Sequence, residues 1–492
     1  MSVPFIVTLV INIVLIIFLA SVILYIVKYE KLSREKLQYF LICLVMFSAI
    51  FITNNMRIQM SETINFNTNS ILVISTIIGS GLGELFKFPI AILQNRNQNR
   101  KFIVEASYLS YAIISLLVFI FAITKNETGL SITLVLSSFI VGVLIGIYTM
   151  QIGVMSSIGK KNTVIRSTLI LGLAIFISQA ISTIPQSFIN NTSITKNELS
   201  YINLSYLWLS ASILSFIAIA LDKIFVNYYY GSEDNRYKSS KEKRKESKKR
   251  WKQSSFNKNV FKFNLDNHIM LTALIGFLLM VIFGMQTGSN GIFIFDSLDQ
   301  FKYGIDSDGE TVHTLATSIL RGHYNLLFSL GGIFGLVFGI KYLVSQKEKN
   351  EVDLTYFSFG LMLVYFILNI FNVAFIDSSI FLFSTYILLG ISYGFVFYYF
   401  VAFAIDLNTK LYSKVPAGSY YLISYSLGNF VSLILFSILI NINIIGVNYI
   451  YVIYIISLII IPIILILYHR TSKSIENTLH NRIIYSQITK NI

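Results

Sequence analysis

The chain has 492 residues, of which 55% are hydrophobic and only 13% are charged. A soluble domain would carry about 25% charged residues, so the composition excludes a water-soluble protein. The net charge of +14 does not indicate a nucleic-acid partner, because the basic residues fall mainly in loops between apolar segments. The single cysteine, Cys43, rules out a disulfide within the chain and any metal site built on several cysteines. No metal and no cofactor are expected.

Apolar runs of about 20 residues, long enough to cross a bilayer core of about 30 Å, recur along the whole chain. They predict helices near residues 5–27, 37–58, 70–93, 103–124, 129–154, 164–188, 201–226, 268–287, 314–343, 354–375, 378–404, 416–441 and 447–469. The runs lack the strict alternation of transmembrane strands, which excludes a porin-like barrel. The first run has no Lys or Arg before it and no small-residue cleavage site after it. We therefore expect a retained helix rather than a signal peptide.

Positive residues alternate between successive loops. The basic segments are 28–36, 96–101, 160–166, 227–262, 341–349, 410–414 and the tail after Arg470. The intervening loops are neutral or acidic. Because Lys and Arg are retained in the cytoplasm during insertion, this pattern predicts a plasma-membrane protein with its N-terminus outside and its C-terminus inside.

The long basic segment divides the chain into two halves. With the first helix set aside, six predicted helices precede it and six follow it, as in transporters built from two structural repeats. The predicted organisation is an extra N-terminal helix and connector (1–36), a first six-helix bundle (37–226), a basic cytoplasmic linker (227–266), a second bundle (267–470) and a cytoplasmic tail (471–492). The charge of the linker is typical of a solvated tether.

A short basic loop follows the run near 70–93. Residues 91–101 resemble the loop signature G-x-L-a-D-R-x-G-R-R of the major facilitator superfamily. Leu93, Arg96 and Arg100 match the signature, whereas Ala91, Asn95, Gln98 and Asn99 replace its Gly, Asp, Gly and Arg. In that family the loop is implicated in gating. The resemblance therefore implies that Leu93, Asn95, Arg96 and Arg100 lie against a neighbouring cytoplasmic helix end, whose carbonyls accept hydrogen bonds from guanidinium groups.

A glycine-rich stretch from Gly331 to Lys341 stands where the second half would carry an echo of this loop. Two interpretations remain open from the sequence. The stretch is either a degenerate copy of the motif or a set of small residues that allow close helix packing.

The resemblance implies an all-α polytopic fold of two six-helix bundles that works as a secondary transporter by alternating access. The extra N-terminal helix departs from the plain family pattern, and we expect the protein to be monomeric. Its cavity would be lined by the first, fourth, seventh and tenth helices of the twelve. That arrangement singles out Asn54, Gln151, Gln286 and Tyr393 as candidates for binding the solute.

Charged residues at membrane depth are costly and therefore point to sites. Arg57 ends one predicted helix, and Arg321 and His323 lie within another; all three are candidates for solute binding. Glu84 and Lys87 are three residues apart on one helical face, a spacing that favours an ion pair. If that pair faces a cavity instead, Glu84 becomes the candidate proton carrier.

These residues predict a carrier, not an enzyme, for a small polar solute. If Arg57 and Arg321 reach the cavity, the solute is anionic and resembles an organophosphate, because guanidinium groups match phosphate oxygens. A neutral sugar or nucleoside is the competing substrate class. The alternative functions are a lipid-linked transferase or other lipid-handling protein, whose metal would use acidic residues of the outer loops, and a permease subunit driven by a separate ATPase.

The topology is testable by cysteine labelling in a Cys43→Ser background. Ser239→Cys, in the basic linker, should react only with membrane-permeant reagents, whereas Ser307→Cys should react from outside intact cells. Labelling of Ser239→Cys by an impermeant reagent would overturn the orientation.

Overall fold

The computed structural model describes residues 3–29, 32, 34–54, 57, 60, 79, 82–83, 97–147, 164–192, 201–225, 267–284, 304–305, 311–312, 315–345, 349–376, 379–411, 424–432, 434–435 and 449–488. In this part of the chain nine helices are long and apolar enough to cross a membrane. The described residues are mainly helical, with one small hairpin. The prediction of an all-α polytopic fold is therefore confirmed.

The first part of the chain forms six described helices. They are α1 (Val3–Tyr29), α2 (Arg34–Asn54), α3 (Asn97–Ile123), α4 (Glu127–Gly146), α5 (Val164–Thr192) and α6 (Tyr201–Phe225). Arg57 and Met60 continue in helical conformation beyond α2. Helix α2 packs on α5 and α6, and α3 packs on α6 and α4, so these helices form one bundle. Helix α1 lies outside this bundle, against α5.

The second part begins after the basic segment. Its helices are α7 (Asn267–Phe283), α8 (Leu315–Ser345), α9 (Lys349–Phe371), α10 (Ser379–Leu411), α11 (424–432) and α12 (Tyr449–Ile488). A π-helical turn, Asn372–Ile376, follows α9. Between α7 and α8, strands β1 (Gly304–Ile305) and β2 (Thr311–Val312) pair antiparallel. Helix α10 packs on α8 and α9, and α12 packs on α7 and α9.

Polar side chains hold neighbouring helices of each bundle together. The amide of Gln186 on α5 donates to the carbonyls of Phe51 and Ile52 on α2, each at 3.0 Å. In the second bundle the amide of Asn369 on α9 donates to the Thr385 hydroxyl on α10 at 3.0 Å. Such bonds satisfy groups that lipid cannot, and each contributes about 0.6 kcal/mol. Gln186 and Asn369 therefore each join two neighbouring helices of one bundle.

Several helix ends differ from the predictions. Helices α3 and α9 begin earlier, at Asn97 and Lys349, and α10 ends later, at Leu411. Helix α12 runs on to Ile488, whereas the hydropathy pattern predicts an end near residue 469. Hydropathy detects only the lipid-compatible part of a helix, and the polar extension after Arg470 carries no such signal. Helix α2 begins at Arg34, three residues before the predicted start, so its first turn includes the charged residues Arg34 and Lys36.

Helices α8 and α10 approach each other through glycines. A Cβ on Gly390 would lie 3.1 Å from the Cα of Gly331 and would also meet the carbonyl oxygen of Phe328. A Cβ on Gly335 would likewise meet the backbone of Ile391. Of the two interpretations of the stretch that begins at Gly331, the structure favours close packing of small residues.

This contact gives a matched pair of variants. Gly390→Ala should lower stability by about 1–3 kcal/mol, because the added methyl group meets α8 backbone that cannot move aside. Gly360→Ala on α9 is the control, since a Cβ there meets nothing within 4 Å. Thermal unfolding of the two purified variants in detergent measures the difference. Equal stability would contradict the close approach.

Candidate functional site at the seam between the bundles

The two bundles meet where α5 packs along α8 and against α10. We call this contact the seam. The stretch Ser167–Phe188 of α5 is 78% buried, the largest share of any described span, whereas that of α1 is 22% buried. Helix α5 therefore occupies the centre of the molecule although it belongs to the first bundle.

Each bundle places an aromatic ring over a glycine of the other. Phe176 of α5 covers Gly332 of α8, where a Cβ would meet three atoms of the phenyl ring. In return, Tyr398 of α10 covers Gly172 of α5, where a Cβ would lie 2.8 Å from ring carbons. Both rings are buried. The seam is thus held by shape, with a ring from each side filling the notch left by a missing side chain.

Tyr393 of α10 lies at the centre of the aromatic residues around the seam. Its ring centroid is 6.3 Å from that of Phe176 on α5, 3.8 Å from Phe283 on α7 and 5.7 Å from Phe328 on α8. Its hydroxyl shares a hydrogen bond of 2.8 Å with that of Tyr425 on α11. Tyr393 remains partly exposed, although these four neighbours are buried. Tyr393 thus contacts aromatic residues of both bundles, and its contact with a solute stays a prediction.

His323 lies at one end of the seam in a buried polar group that includes the extra helix. Its Nε2 is 3.2 Å from the Oδ1 of Asn12 on α1, and the Nδ2 of Asn12 donates to the Ser187 hydroxyl on α5 at 3.0 Å. All three residues are at most 2% exposed. The prediction that His323 binds solute is not tested by this contact, which gives the residue a structural partner in the present state.

Arg57 lies inside the first bundle. It is 3% exposed and interacts electrostatically with Tyr111 of α3, whose hydroxyl bonds with Thr53 of α2. The neighbouring helix is α3, which belongs to the same bundle. Contact of Arg57 with a solute stays a prediction.

The other predicted site residues are only partly described. Arg321 lies in α8, Asn54 ends α2 and Arg100 lies in the first turn of α3, but their side chains are not described. Gln151, Gln286, Glu84, Lys87, Leu93, Asn95 and Arg96 lie outside the described residues. The assignments to solute binding, coupling and gating stay predictions for all of them.

Sequence reasoning missed the residues that build the seam. Gly172 and Phe176 occupy an ordinary apolar stretch. Their role in the seam becomes visible only from their contacts with residues that are distant in the sequence. The sequence could have indicated Asn12, because it is the one amide side chain in the apolar run from Phe5 to Val27. A polar residue in such a run usually bonds to another helix.

The notch at Gly332 provides a test of the seam. Gly332→Ala should loosen the contact between the bundles and lower stability by about 1–3 kcal/mol, since the enclosed ring of Phe176 has little room to move. Adding Phe176→Leu should restore part of the loss by removing the ring. Thermal unfolding of the single and double variants measures this coupling. Strictly additive losses would mean that the two residues do not touch.

Comparison with known proteins identifies the fold. No protein-family model matches the sequence, and no curated protein shows a significant match. Solved structures do match over most of the chain. The human organic anion transporter MFSD10 (TETRAN) has a TM-score of 0.59 at 12% identity, covering 89% of this chain and 100% of its own.

Two further structures agree with this match. The E. coli fucose:proton symporter FucP gives a TM-score of 0.56 at 14% identity, covering 89% of this chain and 99% of its own. The nucleoside transporter NupG gives 0.55 at 14% identity, covering 90% and 99%. Identities this low establish the fold and no more. The chain has the fold of the major facilitator superfamily, as its loop motif and its six-plus-six helix plan predicted.

Proposed function

We propose that this protein is a secondary active transporter that carries a small polar solute across the plasma membrane by alternating access. The observation that supports this most is the seam. Each bundle has its own internal packing and interhelical hydrogen bonds, and the two meet along α5, α8 and α10. Two such bodies can rock about their contact while each keeps its own core.

The chemistry of the seam suits such a motion. Within the bundles, directional bonds such as Gln186 to the carbonyls of α2 keep helices in register. Between α5 and α8 the contacts described above include Phe176 against Gly332 and Phe328, and such apolar contacts can be exchanged for others more readily than directional bonds can. The energy source would be an ion or solute gradient, and the protein would work as a monomer.

The solute would bind beside Tyr393. Its hydroxyl pair with Tyr425 offers a donor and acceptors, and its partly exposed ring offers an aromatic face. A polar solute with an apolar ring face, such as a sugar or nucleoside, fits that combination. The structural relatives include carriers named for fucose, for nucleosides and for organic anions, so both neutral and anionic solutes stay within the proposal.

The anionic version of the proposal depends on Arg321. It lies in α8, two residues before the buried His323, and no acidic residue stands three or four positions away along the helix to neutralise it. A guanidinium group at this depth requires a partner, and a solute carboxylate or phosphate would supply one. Differential binding of that anion in one state would then drive the conformational change.

The rival proposal, a membrane-embedded lipid-linked transferase, has less support. It needs acidic residues that hold a metal, and the candidates Asp296, Asp299, Asp306, Asp308 and Glu310 lie outside the described residues. The described residues contain no cluster of three metal-ligating side chains. The fold match to carriers over about nine-tenths of the chain favours transport.

Uptake into proteoliposomes tests both the function and the substrate class. We expect saturable uptake of at least one solute from a panel of sugars, nucleosides and organophosphates. If the solute is anionic, Arg321→Lys should lower its uptake about tenfold or more, because a charge-assisted hydrogen bond contributes about 1.5–3 kcal/mol. Arg321→Gln should abolish it.

Lys341→Gln is the matched control, because it removes an exposed cation from the same helix, far from the seam residues His323 and Gly332. It should transport like the wild type. Normal anion uptake by Arg321→Gln would rule out the anionic version and leave a neutral solute. No saturable uptake of any solute in the panel would count against the carrier itself.

A further inference from the structure

The extra helix α1 contacts both bundles with one narrow stripe. Its inward residues are Thr8, Asn12, Leu15, Leu19 and Ile26, each at most 4% exposed, spaced so that they fall on one helical face. Most of the remaining surface is apolar and exposed, as lipid contact requires. Such a helix is anchored by its stripe alone. Asn12 is the only amide side chain in this stripe.

Asn12 forms hydrogen bonds to both sides of the seam at once. Its Nδ2 donates to the Ser187 hydroxyl of α5, which donates in turn to the Ile184 carbonyl at 2.8 Å. Its Oδ1 faces Nε2 of His323 on α8. A carbonyl oxygen only accepts, so the imidazole must carry its proton on Nε2 and donate. The hydrogen bonds therefore form a chain that runs from His323 in the second bundle, through Asn12 on α1, to Ser187 in the first bundle.

Helix α1 belongs more to the first bundle than to the second. It packs more extensively on α5 than on α8. Between α1 and α8 lies an apolar cleft of about 450 Å³, lined by Val10, Val14, Leu326 and Leu330. Phe18 and Phe334 also line it, and their ring centroids are 5.8 Å apart. Packing across this cleft is loose, and the bond from Asn12 to His323 is a directional contact that joins α1 to the second bundle.

The position of this bond along the helices indicates which conformational state it stabilises. Ser187 lies in the last two turns of α5, and His323 lies about two turns into α8, so the contact is at the end of the seam where α5 ends and α8 begins. By the proposed topology this is the extracellular end. A bond that exists only while these two helix ends are close stabilises the state closed at that end, because it adds free energy to that state alone.

We propose that α1 is a latch on the extracellular end of the seam, and that Asn12 is the positioning residue that holds it closed by bonding to Ser187 and His323 together. The inference rests on the proposed function, because a latch requires two bundles that move. Its predicted effect is on the populations of the two states. One interhelical hydrogen bond in a membrane protein shifts such a ratio about threefold.

Distances between spin labels measure these populations without any solute. In a Cys43→Ser background, labels at Lys125→Cys and Ile376→Cys report the extracellular end, and labels at Lys223→Cys and Lys341→Cys report the opposite end; all four positions are exposed. Asn12→Leu should raise the ratio of open to closed molecules about threefold at the first pair. The second pair should close reciprocally, a response that local loosening of α1 would not produce.

Ser21→Ala is the matched control, because that hydroxyl is exposed and bonds to the Ile17 carbonyl of its own helix. It should leave both distance distributions unchanged. A second test uses His323→Phe, which keeps a ring but removes the donor. In that background Asn12→Leu should have no further effect, because the bond across the seam is already absent.

The outcomes separate the two proposals. If neither pair shows two distances in any variant, the bundles do not move and the carrier proposal fails together with the latch. If two distances exist but Asn12→Leu leaves their ratio unchanged, the latch alone is wrong. An equal effect of Asn12→Leu in the wild-type and His323→Phe backgrounds would also overturn it. Should Asn12→Leu fail to fold, Ser187→Ala breaks the same line of bonds and should shift the first pair in the same direction.

Discussion

The fit of aromatic rings into glycine notches along the seam is the contact on which the rest of the structure depends. Phe176 over Gly332 and Tyr398 over Gly172 fix how α5 lies against α8 and α10. That placement brings Tyr393 close to residues of several helices and sets His323 beside Asn12. In lipid the hydrophobic effect does not drive helices together, so association depends on close packing and on a few hydrogen bonds. Close packing holds the seam, and hydrogen bonds add to the packing within each bundle.

In the proposed carrier, hydrogen bonds would hold each bundle together while the two bundles move relative to each other. Gln186 and Asn369 bond within their bundles, where they resist separation of neighbouring helices. Between α5 and α8, the ring of Phe176 contacts Gly332 and Phe328, and such apolar contacts lack the directionality of hydrogen bonds. Asn12 is the exception, because its bonds cross from one bundle to the other through a third helix. A carrier with this arrangement would need little free energy to change between its two states. One residue, Asn12, could favour one of those states in the absence of solute.

Much of the architecture could be predicted from the sequence because a membrane imposes strong and local constraints. Each span needs about 20 apolar residues, and that requirement located the described membrane-spanning helices. The motif from Leu93 to Arg100 then pointed to the fold that the solved structures share. Prediction failed at the end of α12, where helix continues without the apolar signal that hydropathy measures.

The candidate site was less predictable, because it depends on pairs that are distant in sequence. Tyr393 was singled out by resemblance, and its role at the site stays a prediction; the structure shows its ring against Phe283 and other aromatic rings. Gly172 and Phe176 could not be found, since a glycine or phenylalanine in an apolar helix looks the same whether it faces lipid or another helix. The charge of a residue does not reveal its neighbours in the fold. Arg57 is buried beside Tyr111 within one bundle, a neighbour that no local pattern indicates.

Counterflow is the measurement that tests the central claim most directly. Proteoliposomes loaded with an unlabelled solute that the protein transports would be diluted into a trace of the same solute carrying a label. A carrier that exposes one site to each side in turn should accumulate label transiently above its equilibrium level, because the outgoing solute returns the site to the outside. Label that only rises to equilibrium, at a rate independent of the internal solute, would contradict alternating access and indicate a channel or another function.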